Sequence, residues 1–399
     1  MNDPASMTPA AGRFDKPATA RQLLPPEAYT SQAWFDREQA ELFGRAWSFA
    51  GMTADTPSAG DFRCVQIGRY PLFVLCGRDG TLRAFHNICR HRGNQLLEGN
   101  GGGDAVLTCP YHHWSYDFEG RLAGVPQKKT LFADLDMSEI RLFPAALGTF
   151  RGMVFVNPQA EPEESFDDWL GEIPDHAWPH DVDKLVETRP TRYEIACNWK
   201  VFAENAMDGY HLMHLHDQTL KGPAPDNQDW EAVGRHWVWL GPGDPESRLS
   251  SGLKPIDGID HGAPGARVWL LFPNSGVQGT SVYWATFQII PVGPEKTWVD
   301  VRSWLMPFDD DDDEASYKKM FPTPGHEADA TADMAFQTIR SVDVHAMDTG
   351  NFMLEDMWIC ERMQQAMRSP MYRVGPMAPN VESPLTYFQQ NILDFVPLA

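Results

Sequence analysis

Two short stretches decide the reading of this chain: Cys89-Arg90-His91-Arg92-Gly93 and Cys109-Pro110-Tyr111-His112-His113-Trp114, with seventeen residues between His91 and Cys109. Each is a Cys and a His on a tight turn, and about one hairpin separates them. Two thiolates and two imidazoles can hold tetrahedral zinc, or a [2Fe–2S] cluster with the sulfurs on one iron and the histidines on the other. Exchanging two thiolates for neutral imidazoles removes negative charge and raises the cluster potential. Ligand types alone leave the two readings level. Pro110 fixes φ in the second turn and leaves neighbouring N–H groups free for the sulfurs. His113 adjoins a ligand but falls outside the pattern, so it reads as a surface or supporting residue. Cys64, Cys76, Cys197 and Cys360 lack partner spacing and read as ordinary buried small residues.

Outward from these turns, residues 61–157 are short β-rich runs broken by turn signals. Tyr70–Cys76 leads through Asp79-Gly80 into Thr81–Phe85, a hairpin built on Asp-Gly. A second hairpin spans Trp114–Leu122 with Glu119-Gly120 in its turn, and Gly99–Gly103 reads as a flexible loop between them. Before this region, spaced apolar positions (Ala33, Phe35, Leu42, Phe43, Trp47) predict short helices. After it, a Pro- and acid-rich link over 158–183 leads to a longer part. That part has a helical stretch near Trp199–His211, strand-like runs at His236–Leu240, Arg267–Phe272, Val282–Ile290 and Thr297–Leu305, and a closing helix from about Phe352 to Arg368. Strands framed by helices predict an α+β chain with an antiparallel sheet.

The stretch from Asn198 to His216 gathers Glu204, Asp208, His211, His214 and His216. His211 and His214 are nearly on one helical face and make a plausible ligand pair. His211 and His216 lie about 140° apart on a straight helix, so they share a metal only if the helix breaks between them. Spacing alone slightly favours the first pair.

Cys-x-His followed by Arg-Gly, then Cys-Pro-Tyr-His-x-Trp with Tyr116 and Gly120 beyond, resembles the Rieske-type non-haem iron oxygenases, catalytic α subunit. So do Asn198-Trp-Lys, Glu204-Asn205, Asp208-x-Tyr-His211-x4-His216 and the late Leu354–Gln364 segment. The resemblance runs from about residue 30 to 395 and implies much. Cys89, His91, Cys109 and His112 would hold a Rieske [2Fe–2S] cluster. His211, His216 and Asp356 would hold mononuclear Fe(II), with Glu355, Asp343 and Asp348 as alternative carboxylates and His214 left to packing or pocket lining. Asp208 would bridge an iron histidine to His112 of the next subunit in a head-to-tail homotrimer, with or without a β subunit. Asn205, Leu212 and Phe352 would face the substrate.

The implied fold is α+β: an all-β Rieske domain over 47–160, and a catalytic domain over 161–399 whose antiparallel sheet is flanked by helices in a helix-grip (START-like) arrangement. Residues 1–26 would be a flexible leader, and 27–46 helices packing on the catalytic domain. Electrons would come from an NAD(P)H-dependent reductase, with or without a ferredoxin, because the chain has no Gly-rich dinucleotide fingerprint. Asp208-Gly-Tyr-His favours an aromatic acid as substrate of dioxygenation or monooxygenation. Asp356-x-x-Ile-Cys-Glu-x-x-Gln364 is closer to monooxygenases and N-demethylases of quaternary ammonium compounds, for which six tryptophans (Trp237, Trp239, Trp269, Trp284, Trp298, Trp304) offer an aromatic cage. A non-enzymatic Rieske electron carrier is the remote alternative.

Composition narrows the setting. A net charge of −22 opposes non-specific nucleic-acid binding, which needs a basic surface. Asp309–Glu314 is an unbroken acidic run that reads as a solvated loop. No uncharged apolar run reaches the ~18 residues of a membrane helix. Residues 1–30 lack the apolar core of a signal peptide, and six cysteines make no disulfide framework, so a reducing cytoplasm is expected.

Overall fold

The computed structural model describes residues 15–177, 180–188, 190–220, 229–241, 253–259, 266–307, 336–340 and 344–398. The acidic run Asp309–Glu314 and Asp343 lie outside these residues. The Asp-Gly hairpin forms as Tyr70–Cys76 against Leu82–His86. It sits inside a seven-stranded sheet whose spatial order is Ser48–Met52, Met153–Asn157, Pro144–Phe150, Leu82–His86, Tyr70–Cys76, Phe62–Ile67 and Asn100–Gly101. A small three-stranded sheet, Leu107–Thr108, Ser115–Tyr116 and Leu122–Gly124, carries the second cysteine turn. The predicted loop Gly99–Gly103 is in part this larger sheet's edge: Asn100 and Gly101 pair with Arg63 and Phe62. Gly101 permits it, because a Cβ there would strike the Phe62 ring.

The second sheet runs Asp229–Val233, His236–Leu240, Arg267–Leu271, Ser275–Gly279, Tyr283–Gly293, Lys296–Leu305, Thr191–Ile195 and Gln337–Ile339, with Val186–Glu187 also on Lys296–Leu305. Among the described residues every pairing in it is antiparallel except Thr191–Tyr193 with Gln337–Ile339. Helices Trp199–Met207, Phe352–Met367 and Ser383–Phe395 pack with it. Asn198 caps the first by accepting from Lys200 N, and Asn351 caps the second by accepting from Met353 N and Leu354 N.

The link over 158–183 is itself structured and packed. Its helices Phe166–Leu170 and Ile173–His176 bury Trp169, Leu170 and Ile173 in a core with Phe49 and Phe155 of the first sheet and Val238, Trp269 and Trp304 of the second. Arg302 adds a bidentate ion pair to Asp55 at 2.7 and 2.8 Å, tying the two sheets through charge as well as apolar area. Nor is the stretch before residue 27 loose throughout. Arg21 N donates to Thr386 Oγ1 and Leu23 N to Gln389 Oε1, both at 2.7 Å, and Leu24 is buried. Helices Glu27–Thr30 and Gln32–Arg37 and the π-turn Glu38–Leu42 follow. Tyr29 donates to Glu204 at 2.6 Å, and Glu38 accepts from Trp199 Nε1 and Lys200 Nζ at 2.9 and 2.6 Å. A buried lysine needs such a partner, since its charge is costly to strip of water.

Candidate metal centres

The two cysteine turns are built alike. In the first, Cys89 N donates to Asn94 O and Gly93 N to Cys89 O; in the second, Cys109 N donates to Trp114 O and His113 N to Cys109 O. Both turns need a left-handed residue at the same place, Gly93 with φ 75° and His113 with φ 56°. That is the part His113 plays: an exposed side chain on a backbone position suited to glycine. Cys89 and Cys109 are buried. The Tyr116 hydroxyl lies 3.3 Å from Cys89 Sγ and accepts from Arg90 N, while Asn94 Nδ2 lies 3.9 Å from Cys109 Sγ.

The His91 and His112 rings meet at 4.6 Å between centroids, and His91 stacks on Trp114 at 4.6 Å. Burial, then the neighbouring His112 and Arg92, push the His91 imidazole down, which keeps it neutral and able to ligate. Its Nδ1 is buried without a hydrogen-bond partner. Two sulfurs with donors beside them and an orphaned imidazole nitrogen fit a cluster held by two cysteines and two histidines.

The second centre forms where the helix Trp199–Met207 ends. Asp208 to Tyr210 bend away, and a single turn, Leu212–Leu215, separates His211 from His216. The expected helix break therefore falls before His211 rather than between the two histidines. The unwound dihedrals at His216 (φ −104°, ψ 28°) help bring both rings together. His211 Nε2 lies 3.2 Å from His216 Nε2, and Asp356 Oδ1 lies 3.0 Å from His216 Nε2 and 3.5 Å from His211 Nε2. Three ligands on one octahedral face with bonds of about 2.1 Å would stand roughly 3.0 Å apart. Two ring nitrogens facing each other are best reconciled by a cation they share. Among the described residues these three form a group whose ligand atoms fit one ion.

The supports are equally specific. Asn205 Nδ2 donates to Asp356 Oδ1 at 2.8 Å. Glu355 Oε2 lies 2.6 Å from His216 Nδ1 and accepts from Thr219 at 2.8 Å. Asp208 Oδ2 is 3.5 Å from His211 Nδ1, and its Oδ1 accepts from Tyr210 N at 2.7 Å. Burial lowers the His211 imidazole, but Asp208 and Asp356 outweigh it and lift it to about 10. Burial likewise opposes the Asp356 carboxylate, yet the two histidines hold it well below its usual range. Three carboxylates around two imidazoles suit a divalent ion that takes nitrogen and oxygen.

Sequence reasoning offers Glu355 as an alternative ligand; its place is behind His216, which two adjacent acids on a helix do not reveal. Asp348 is exposed. His214 is also exposed, pairs edge-on with Tyr210 at 5.8 Å and is not among the described residues lining the cavity, so of its two expected places the pocket lining is not met.

Beside the trio lies a cavity of about 180 Å³. Asn205, Leu212 and Phe352 line it, and Phe352 meets His216 at 6.2 Å between ring centroids. Its other aromatic walls are Tyr193, Phe202, Tyr283 and Phe287. None of the six tryptophans lines it. Strand alternation turns Trp269, Trp284, Trp298 and Trp304 to the opposite face from Val268, Ala285 and Val301. Trp237 and Trp239 share the face of Val268 but stand one strand beyond it, packed into the core. The expected tryptophan cage is therefore not built.

Residues 46–144 match the Rieske [2Fe–2S] domain family, and residues 182–397 match the ring hydroxylating alpha subunit (catalytic domain) family. The chain is 37% identical over 198 residues to the glycine betaine monooxygenase oxygenase subunit of Pseudomonas aeruginosa, covering 50% of this chain and 46% of that one. The matched stretch thus spans about half the length of that relative. Choline monooxygenase of Beta vulgaris is 24% identical over 394 residues, covering 97% of this chain and 80% of that one. In fold, the quaternary ammonium Rieske monooxygenase CntA superposes with a TM-score of 0.73 at 20% identity, over 95% of this chain and 96% of that one. No helix of the described residues is long and apolar enough to cross a membrane.

Proposed function

Because this chain belongs to the ring-hydroxylating α-subunit family of Rieske oxygenases, we propose that it is the oxygenase component of a monooxygenase acting on a small quaternary ammonium compound. The observation that carries this reading is the cavity wall beside His211, His216 and Asp356. It is aromatic and neutral-polar, with no Lys or Arg among its described residues. A net anion such as an aromatic acid would lose its hydration there without a Lys or Arg to pair with its carboxylate, which is costly. A methylated ammonium group, by contrast, is attracted by ring faces, each contact worth ~0.5–2 kcal/mol. The similarity to oxygenases of glycine betaine and choline points the same way. This moves the substrate from the aromatic acid expected from Asp208-Gly-Tyr-His to the quaternary ammonium alternative. The matched catalytic region leaves little ground for a bare electron carrier.

In this reading Cys89, Cys109, His91 and His112 hold the [2Fe–2S] cluster, and His211, His216 and Asp356 hold Fe(II). When bound, the cluster supplies electrons one at a time and the iron supplies the site where O₂ is activated beside the substrate. The chain's own residues then do three things. Glu355 fixes the His216 ring through its outer nitrogen, and the Asp208 carboxylate stands 3.5 Å from the outer nitrogen of His211, where its charge favours that ring's orientation. Asn205 keeps Asp356 Oδ1 turned toward both histidines. Phe202, Phe287 and Phe352 keep water from the substrate and restrict it to a size near that of a single ring, since a cavity of about 150 Å³ takes up benzene.

The organisation proposed with this function is a cluster unit over 47–160 and a catalytic unit over 161–399. A cytoplasmic NAD(P)H-dependent reductase would serve it, directly or through a ferredoxin. Head-to-tail trimers, with or without a β subunit, would use Asp208 to join His211 to a cluster histidine of the neighbouring subunit. The test is O₂ consumption and product analysis with iron-loaded protein and a donor system. Quaternary ammonium compounds should stimulate uptake and yield a demethylated or hydroxylated product. Stimulation by benzoate-like acids alone would sink the reading.

A further inference from the structure

The cavity wall opposite the metal trio is a piece of the second sheet, and its register sorts the side chains into two rows. Phe287 pairs with Val301, and Val301 with Thr191. Two residues along the same strands, Ser303 pairs with Ala285 and Ala285 with Gln278. All six of these residues line the cavity. Because side chains on one face recur every second residue, the first row offers an aromatic ring and the second a polar notch. Ala285 is the floor of the notch, and Ser303 and Gln278 are its two sides, two strands or about 10 Å apart at the backbone.

The ring in the first row lies over Gly276, where a Cβ would land within Phe287. That glycine lets the Phe287 ring lie across the strand rather than fill the notch. Neither Gln278 nor Ser303 makes a side-chain hydrogen bond among the described residues. Ser303 is held in place through its backbone, its carbonyl accepting from Thr188 N at 2.9 Å and from Thr188 Oγ1 at 3.3 Å.

We infer that Gln278 and Ser303 form the subsite for a substrate carboxylate. This rests on the quaternary ammonium reading and narrows it to a zwitterion, in which a methylated ammonium and a carboxylate belong to one molecule. An ionised carboxylate only accepts hydrogen bonds, and an amide N–H and a hydroxyl both donate. The short methyl side chain of Ala285 leaves room between them. A substrate whose total charge is zero needs no Lys or Arg, so the neutrality of the described wall becomes a selection rule rather than a defect. The aromatic row, two residues along the same strands, then takes the ammonium.

The experiment compares the holoenzyme with Gln278→Leu and Ser303→Ala, using glycine betaine and choline as probes in equilibrium binding and in steady-state kinetics. The two probes share a trimethylammonium group and differ in the carboxylate. Each substitution should reduce the preference for the carboxylate probe by roughly 10-fold or more, as removal of a charge-assisted hydrogen bond predicts. The loss should fall mainly in KM, and the cluster spectrum and melting temperature should stay at wild-type values. Equal losses for both probes, or no loss, would overturn the carboxylate subsite while leaving the quaternary ammonium reading standing. If wild type binds neither probe but binds benzoate, both readings fall together.

Discussion

The two metal centres are held by opposite means. The four proposed cluster ligands lie from residue 89 to residue 112, on turns that close on themselves through the same pair of backbone hydrogen bonds. Each turn sets the direction of its own Cys and His almost without help from the rest of the molecule. The proposed iron ligands have no such frame. His216 and Asp356 meet across 140 residues, and they meet because the helix Trp199–Met207 packs on Phe352–Met367. One site is a local conformation, the other a product of tertiary packing. A local site should answer to the residues in its turns, and a packed site to whatever aligns two helices.

The widest gap between them should come from removing one ligand at each. Cys109→Ala should lose the cluster and its visible spectrum, and Asp356→Ala should lose mononuclear iron yet keep that spectrum; turnover should fall by orders of magnitude in both. Two irons per cluster and an intact spectrum in Cys109→Ala would show that its ligands are misassigned. A middle-sized effect should come from Glu355→Gln, which keeps the shape behind His216 but removes the charge. Loss of such a support typically costs about 10–100-fold in metal affinity. Chelator competition measures it, and wild-type iron retention would reduce Glu355 to a packing residue. The smallest effect should be a gain. His113→Gly relieves a left-handed conformation that costs a non-glycine residue ~1–3 kcal/mol, partly offset by the ~0.5–1 kcal/mol entropy cost of glycine. The bleaching temperature of the cluster should rise slightly; a fall would mean that the His113 side chain supports the turn.

What can be read from the sequence follows the same division. The Asp-Gly hairpin, the cysteine turns and the long strands Tyr283–Gly293 and Lys296–Leu305 have signals within a few residues, and they stand where periodicity and turn chemistry put them. The choice of His211 with His216 has no such local signal, since spacing favours His214. Only the bend at Asp208–Tyr210 and the late helix bring His211, His216 and Asp356 together. The helix Ser383–Phe395 lies beyond the predicted elements, although Leu385, Phe388 and Ile392 recur at helical spacing behind Pro384. The stretch over 158–183 reads only as a Pro- and acid-rich link because its prolines and acids outnumber the three side chains, Trp169, Leu170 and Ile173, that bury it. Composition averages over a segment, whereas packing depends on a few residues in it.

The stitching of Arg21 and Leu23 to Thr386 and Gln389 has a consequence for the order of events during synthesis. Every strand of the first sheet lies between residues 48 and 157, so that sheet has all its partners once this stretch has left the ribosome. The segment before it must wait for a helix more than three hundred residues downstream. Chains emerge at about 5–20 residues per second and tend to fold unit by unit. The cysteine turns can therefore close while Leu24 and Tyr29 are still exposed to water, and His211 and His216 must wait for Asp356, 140 residues downstream of His216.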